Sequence, residues 1–352
     1  MIEALRHFDR GRLGDLVAIF PSLRVAVLGD FFLDKYLDVD PALAEPSLET
    51  GLPAHQIVAV RHSPGAAGTV VSNLAALGTG SIRALGFRGD DGEGWELERD
   101  LLALGVDTSG LLLETGRCTP TYFKPRDMDR PGLAGEHSRY DIKNRSPTLA
   151  ETEARIIAAL DRALPQVDAL IVMDQVEGLG QGVVTPLVAA AIMERVAGFP
   201  RLIAWADSRR RIRSFHGLIL KMNQFELSAV HDPEPGSSIP DQAIASCIGS
   251  VEEEAGAPVF VTAGDRGVWV GGDSPFRVPG VEVDATVDPT GAGDSFTAGA
   301  VLALAAAASR AEAALLGCLV ASITVRQLAT TGTARPDELG SALDLWQEQN
   351  NE

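Results

Sequence analysis

The run DPTGAGDSFTAGA, from Asp288 to Ala300, constrains this chain more than any other stretch. Gly291, Ala292 and Gly293 are small enough for backbone to approach an anion closely, and the apolar small-residue run after Asp294 predicts a buried helix. At a loop-to-helix junction the first N–H groups have no intrahelical partner and, with the helix dipole, favour negative charge. Asp294 would lie beside them, placed to accept the proton of an attacking hydroxyl while amides stabilise a transferring phosphoryl group. A plain glycine turn before a helix is the competing reading.

Composition narrows the setting for such chemistry. With 352 residues, 45% of them hydrophobic, the chain can bury a large core, and one α/β domain with a small appendage fits better than two equal domains. The 48 acidic against 30 basic residues give a net charge of −18, which argues against general nucleic-acid or anionic-membrane binding. An acidic protein that uses ATP must neutralise phosphate locally, with Mg²⁺, amides and a few cationic side chains in a cleft. Cys118, Cys247 and Cys318 are isolated, so neither a zinc framework nor a disulfide set is expected, and a reducing cytoplasm is the expected location. The start, EALRHFDRGR, has no apolar signal core, and the Ala-rich 298–308 stretch is too short to span a bilayer.

Apolar positions from Leu5 to Phe20 predict a helix within 2–20, followed by a core strand at RVAVLGD. Gln56–His62 alternates like a half-exposed strand, and SPGAAGTVVSNLAALG predicts a glycine turn opening a helix. Further strands are expected at 82–87, 167–173, 201–206, 217–221 and 257–263, alternating with helices at 93–104, 150–163, 183–197 and 240–255. This alternation predicts an α/β fold whose central, mainly parallel sheet carries helices on both faces. Residues 125–147 and 231–240, charged or Pro/Gly-punctuated, are expected as surface loops. No internal repeat is evident.

Asp30 ends the first strand and Asp34 follows in FFLDKY, where open α/β sheets bind ligands; solvated turn caps are the alternative. KMNQFE holds Asn223 and Glu226 in an N-x-x-E spacing that, taken alone, describes a helix cap. VTAGDRGVWV, taken alone, describes a hairpin. GLGQGV at Gly178 lacks the dinucleotide-binding spacing, and no Walker A sequence is present.

The 288–300 run, with VLGDFFLDKY and KMNQFE, resembles the signatures of the ribokinase-like carbohydrate kinases, the PfkB family. The resemblance implies a ribokinase-like fold over 1–352 as a single kinase domain, with a small β-lid drawn from parts of 36–60 and 111–141. It implies ATP and Mg²⁺ as cofactors, Asp294 as catalytic base with Gly291, Ala292 and Gly293 as anion hole, and Asp30 and Asp34 as sugar ligands. Asn223 and Glu226 would order Mg²⁺ and the ATP phosphates through water, and Thr262, Gly264 and Gly267 would contact the nucleotide. Asp288 and Thr290 would hold a monovalent cation such as K⁺, or bond within their own loop. A homodimer formed through the lid is expected.

The resemblance runs from about residue 10 to 340 and covers a kinase part only. It is nearest to a branch that phosphorylates heptose 7-phosphate, through Gly89–Gly110, Thr119–Lys124, Ser138–Asp141, Ala206–Arg210 and Thr330–Leu339. The sugar-binding turn departs from the family: Gly65 is followed by Ala66 where a glycine is usual, and Thr69 replaces Asn. Lys124, Arg139 and Arg209 are the candidates to meet an acceptor phosphate. The alternatives are a kinase for an unphosphorylated sugar or nucleoside, and a non-catalytic sugar or nucleotide sensor.

Overall fold

The computed structural model describes residues 5–350 apart from 131, 231, 232 and 235. In chain order its strands are Arg24–Gly29 (β1), Phe31–Pro46 (β2), Pro53–Ala66 (β3), Ser81–Gly89 (β4), Asp107–Glu114 (β5), Thr121–Asp127 (β6), Tyr140–Ile142 (β7), Ala169–Asp174 (β8), Ile203–Ser208 (β9), Ile219–Asn223 (β10), Val259–Thr262 (β11), Val268–Val270 (β12) and Phe276–Val278 (β13). The helices are Arg10–Val17 (α1), Ala67–Ala76 (α2), Gly92–Ala103 (α3), Ala150–Ala163 (α4), Pro186–Val196 (α5), Gln224–Leu227 (α6), Asp241–Ala255 (α7), Ala292–Ala305 (α8), Arg310–Thr324 (α9) and Pro336–Asn350 (α10).

Two sheets result. The larger has the order β13-β12-β11-β10-β9-β8-β1-β4-β5, parallel from β11 to β5 with β12 and β13 antiparallel at one edge. Its central strands are apolar runs because helices cover both faces, and β8 is buried at every position. Alternation along the strands sends Val25, Val27, Ile171 and Met173 into one core with α2, α8, α9 and α10. Ala26, Leu28, Leu170 and Val172 enter a second core with α4, α5 and α7. On the first face Trp205 and Phe260 pack at 5.1 Å between ring centroids, and Phe296 of α8 lies 6.5 Å from each. That contact fixes where the 288–300 junction meets the sheet.

The smaller sheet, β3-β2-β6-β7, departs from the sequence reading in two ways. After Asp30 the chain passes straight into β2, so Asp34 lies inside a strand. Residues 125–147, expected as a loop, supply the end of β6 and all of β7, because pairing beside β2 satisfies their backbone while charged side chains face water. The helix expected within 2–20 is confined to α1, capped by the Asp9 side chain on the Arg12 amide. Of the expected 231–240 loop, 231, 232 and 235 lie outside the described residues. No helix among the described residues is long and apolar enough to cross a membrane, and the three cysteines are free.

Candidate active site

Gly291 begins α8 with φ of 77°, a left-handed conformation that suits glycine, and no side chain caps the helix. The Ala292 amide bonds to Pro289 O at 3.1 Å, which removes it from the expected anion hole. The Gly291, Gly293 and Asp294 amides have no partner among the described residues. Asp294, in the first turn, accepts no hydrogen bond from the described residues. Its pKa is raised to about 7 by burial and by Asp207, against the lowering effect of Lys221 and Arg209, with Asp34 raising it further.

Lys221 is the neighbour that sequence reasoning missed. Parallel pairing of β9 with β10 sets it beside Asp207, and its Nζ donates to Asp207 Oδ2 at 2.7 Å in a buried ion pair. Burial opposes its charge, but Asp207 and Glu226 outweigh burial and hold its pKa above the usual lysine value. A Cβ on Gly293 would lie 2.7 Å from Nζ, so the ammonium sits against the helix start and Gly293 leaves room for it. The available signal was a lysine inside the apolar strand ILKMN, since a buried cation demands a partner.

Asp34 lies across the cleft. Lys124 Nζ is 3.1 Å from its Oδ2, and the Thr331 hydroxyl donates to the same oxygen at 3.5 Å. A Cβ on Gly65 would come within 3.1 Å of the Asp34 carboxyl carbon. Ala66 precedes α2 with φ 54° and ψ −117°, a strained conformation for a residue with a Cβ, so the backbone keeps a shape better suited to glycine. Thr69 is buried and its Cγ2 packs 3.1 Å from where a Cβ of Gly291 would sit, which joins the starts of α2 and α8.

Asp30 differs from its expected role as a sugar ligand. Its Oδ2 accepts the amides of Gln175 and Val176 at 2.8 and 3.0 Å, and its Oδ1 the amide of Val183 at 2.7 Å. Burial and Asp174 raise its pKa to about 6 despite these donors. The side chain is committed to folding the 175–183 loop over the end of β8. Two cations expected at an acceptor phosphate are likewise engaged: Lys124 with Asp34, and Arg139 with Asp141 at 2.6 and 2.9 Å while stacking over Tyr122 at 4.0 Å. Among the described residues the Arg209 guanidinium makes no hydrogen bond or ion pair, and its charge reaches both Asp294 and Glu226.

On the other flank, Asn223 caps α6. Its Oδ1 accepts the Phe225 and Glu226 amides at 2.9 Å each, and Glu226 Oε2 accepts the Asn223 amide at 2.7 Å. The capping box is therefore real, and Asn223 spends its oxygen there. Glu226 retains Oε1; burial raises its pKa while Lys221 opposes. Thr262 pairs in register with Asn223, and Gly264 turns the β11–β12 hairpin at φ 64°. Gly267 is explained by packing, since a Cβ would strike Val278 O at 2.2 Å. Asp288 uses its oxygens within the loop region, accepting the amides of Thr290 at 3.0 Å and Ala329 at 3.2 Å.

A free carboxylate oxygen on Glu226, a proton acceptor at Asp294 and unpartnered amides fit a nucleotide phosphate with a hydrated Mg²⁺. Among the described residues no cluster of three or more His, Cys, Asp or Glu would hold a metal alone. Mg²⁺ bound through nucleotide phosphates keeps several waters and needs few protein ligands.

The pattern of the pfkB family carbohydrate kinases matches residues 204–337. Bifunctional protein HldE of Desulfatibacillum aliphaticivorans is 31% identical over 348 residues, covering 96% of this chain and 64% of that protein. The HldE of Hyphomonas neptunium is 29% identical over 346 residues, covering 95% and 66%. The chain thus spans about two thirds of the length of these relatives. Among solved structures, a ribokinase from Thermotoga maritima aligns with a TM-score of 0.63 at 21% identity, covering 92% of this chain and 99% of that one. Phosphofructokinase-2 from Escherichia coli aligns with a TM-score of 0.67 at 17% identity, covering 93% and 99%. The chain has the ribokinase-like fold, and its residues 204–337 carry the pattern of the pfkB family of carbohydrate kinases.

Proposed function

We propose that this protein transfers the γ-phosphoryl group of ATP to a hydroxyl of a sugar, with a phosphorylated acceptor of the heptose 7-phosphate kind preferred. The observation that carries this reading is Asp294: a carboxyl whose pKa burial raises to about 7, without a hydrogen bond from the described residues, at a helix start that no side chain caps. In the ionised form it takes the proton of the acceptor hydroxyl. The amides of Gly291, Gly293 and Asp294, with the Lys221 ammonium, hold the transferring group and offset its charge. Asp34 orients the acceptor, and Asp30 acts indirectly, by fixing the 175–183 loop. Glu226, through its remaining Oε1, would hold a water of bound Mg²⁺, which would supply neutralisation of the nucleotide phosphates. Thr262 and Gly264 border the nucleotide, and Asp288 with Thr290 is the place for a monovalent cation.

Engagement of Lys124 and Arg139 by carboxylates favours one other reading, a kinase for a neutral sugar. A cytoplasmic location and a homodimer through the small sheet complete the proposal; Ile57 and Val60 of β3 are 49% and 50% exposed, as an interface strand requires. The test is ADP release with heptose 7-phosphate, hexose phosphates and the corresponding neutral sugars. Preference for a sugar phosphate supports the reading. Preference for neutral sugars would replace the acceptor class, and no transfer to any acceptor would refute the kinase.

A further inference from the structure

Between α9 and α10, residues 325–333 form a strap that touches three parts of the site. Asp288 ties it to the loop that enters α8: the Asp288 amide donates to Val325 O at 2.8 Å, and Asp288 Oδ2 accepts the Ala329 amide at 3.2 Å. Gln327 closes the strap on itself, donating to Thr333 O at 2.7 Å and accepting the Thr333 amide at 3.2 Å. Buried Asn73 of α2 donates to Gly332 O at 3.1 Å. Ala329 is held at φ 53°, a left-handed conformation that is costly for a residue with a Cβ and persists only where surrounding contacts fix it.

The strap also meets the base of the small sheet. Side chains of β3 alternate there: His62 turns toward α3, its Nδ1 2.5 Å from Asp100 Oδ2, while Arg61 and Ser63 turn toward the strap. Arg61 Nη1 donates to Ala329 O at 3.5 Å, and Ser63 Oγ lies 3.0 Å from Thr331 Oγ1. Ser63 pairs with Asp34 across β2 and β3, so the same face presents Asp34 to the strap, and Thr331 donates to Asp34 Oδ2 at 3.5 Å. With the Thr331 proton given to the carboxylate, Ser63 is left to donate to Thr331, and the three groups form one chain of hydrogen bonds. Lys124 Nζ, at 3.1 Å, meets the same Oδ2. The contacts that fix Asp34 thus fall on one oxygen, and Oδ1, with no partner among the described residues, is left for an acceptor hydroxyl.

Asp34 belongs to the small sheet, whereas Asp294 belongs to α8, which packs on the large one. Transfer needs the acceptor oxygen and the base in one fixed geometry, so the two parts need a link. We propose that Thr331 is a positioning residue for phosphoryl transfer: its hydroxyl, supplied from a strap pinned at Asp288, sets the Asp34 carboxylate relative to the start of α8. The proposal rests on the sugar-kinase reading above, in which Asp34 orients the acceptor. The test compares wild type with Thr331→Val, which keeps the shape and removes the hydroxyl, Thr331→Ser, which keeps the hydroxyl, and Ser63→Ala. Thr331→Val is also combined with Asp34→Ala. Steady-state KM is measured for ATP and for heptose 7-phosphate and neutral heptose, and calorimetry follows binding of the same two sugars without ATP.

Thr331→Val should raise the acceptor KM about 3- to 10-fold, as loss of one hydrogen bond does, with the ATP KM unmoved. Thr331→Ser should restore the wild-type value, and Ser63→Ala should shift it in the same direction by less. Beside Asp34→Ala, Thr331→Val should change acceptor kcat/KM no further, because the hydroxyl acts through that carboxylate. An unchanged acceptor KM in Thr331→Val overturns the assignment and leaves the kinase standing. An equal loss in Thr331→Ser, or a rise of both KM values, makes Thr331 part of the packing alone and also overturns it. If Thr331→Val does not fold, an acceptor KM unmoved in Ser63→Ala overturns it, and a rise with ATP KM constant supports it. If wild type binds a sugar but phosphorylates none, and Thr331→Val weakens that binding while Thr331→Ser restores it, the positioning of Asp34 stands and the kinase reading fails. Absence of both turnover and binding in wild type overturns the two together.

Discussion

Asp30 and Asp294 are both carboxyls whose pKa burial pushes up, to about 6 and about 7, yet their surroundings are opposite. Asp30 closes the end of β1 and gives its oxygens to three backbone amides. Asp294 opens α8, receives no hydrogen bond from the described residues, and lies within reach of the charges of Lys221 and Arg209. A raised pKa therefore does not by itself identify a base. What separates the two is whether the oxygens are free to take a proton from something that is not yet there.

The two carboxyls should differ most in chemistry. Asp294→Asn is expected to lower single-turnover phosphoryl transfer by about 10²–10⁴, the contribution of a positioned general base, with ATP affinity nearly retained. Turnover above half that of wild type would remove Asp294 from the mechanism.

They should differ next in their contribution to stability. Asp30→Ala should leave three amides of the 175–183 loop without partners and cost about 3 kcal/mol or more in urea unfolding. Asp294→Ala should cost far less. Equal losses would mean that the two sites do the same structural work.

A smaller effect follows from linkage. The folded-state pKa of Asp294 lies above its ordinary value of 3.8, so the native state binds more protons and stability falls as pH rises from about 4 to about 7. Above that window the native state carries a disfavoured charge. Asp294→Asn should thus melt about 2 °C or more above wild type at pH 8, with the gap closing toward pH 4. A gap independent of pH would contradict the burial of this charge. The smallest effect is at Ala66: Ala66→Gly relieves a positive φ and should raise stability by about 1 kcal/mol, measured by the same urea transitions. A destabilised variant would show the turn to be unstrained.

The parts of the molecule legible in the sequence were those encoded locally. The runs RVAVLG and ALIVMD are continuous and apolar because each strand is covered on both faces, and the junction at 288–300 carries its turn and helix in adjacent residues. Lys221 and Asp207 stand 14 positions apart and become a pair only through the parallel register of β9 and β10. Asp30 meets its amides about 145 to 153 positions away, after the 175–183 loop folds back over β1 and β8. Asn144 sits in a charged stretch that reads as a surface loop, and only the fold brings its side chain to the Cys118 backbone 26 positions away. Long-range closure of this kind leaves no periodic trace in the chain.

The role of Asp294 as base is tested by the pH dependence of kcat/KM for the phosphorylated acceptor, measured in wild type and in Asp294→Asn with ATP saturating. Wild type should show an ascending limb with a midpoint near pH 7, set by loss of the Asp294 proton, and the residual activity of Asp294→Asn should lack that limb. An ascending limb of the same midpoint in both proteins would place the base elsewhere.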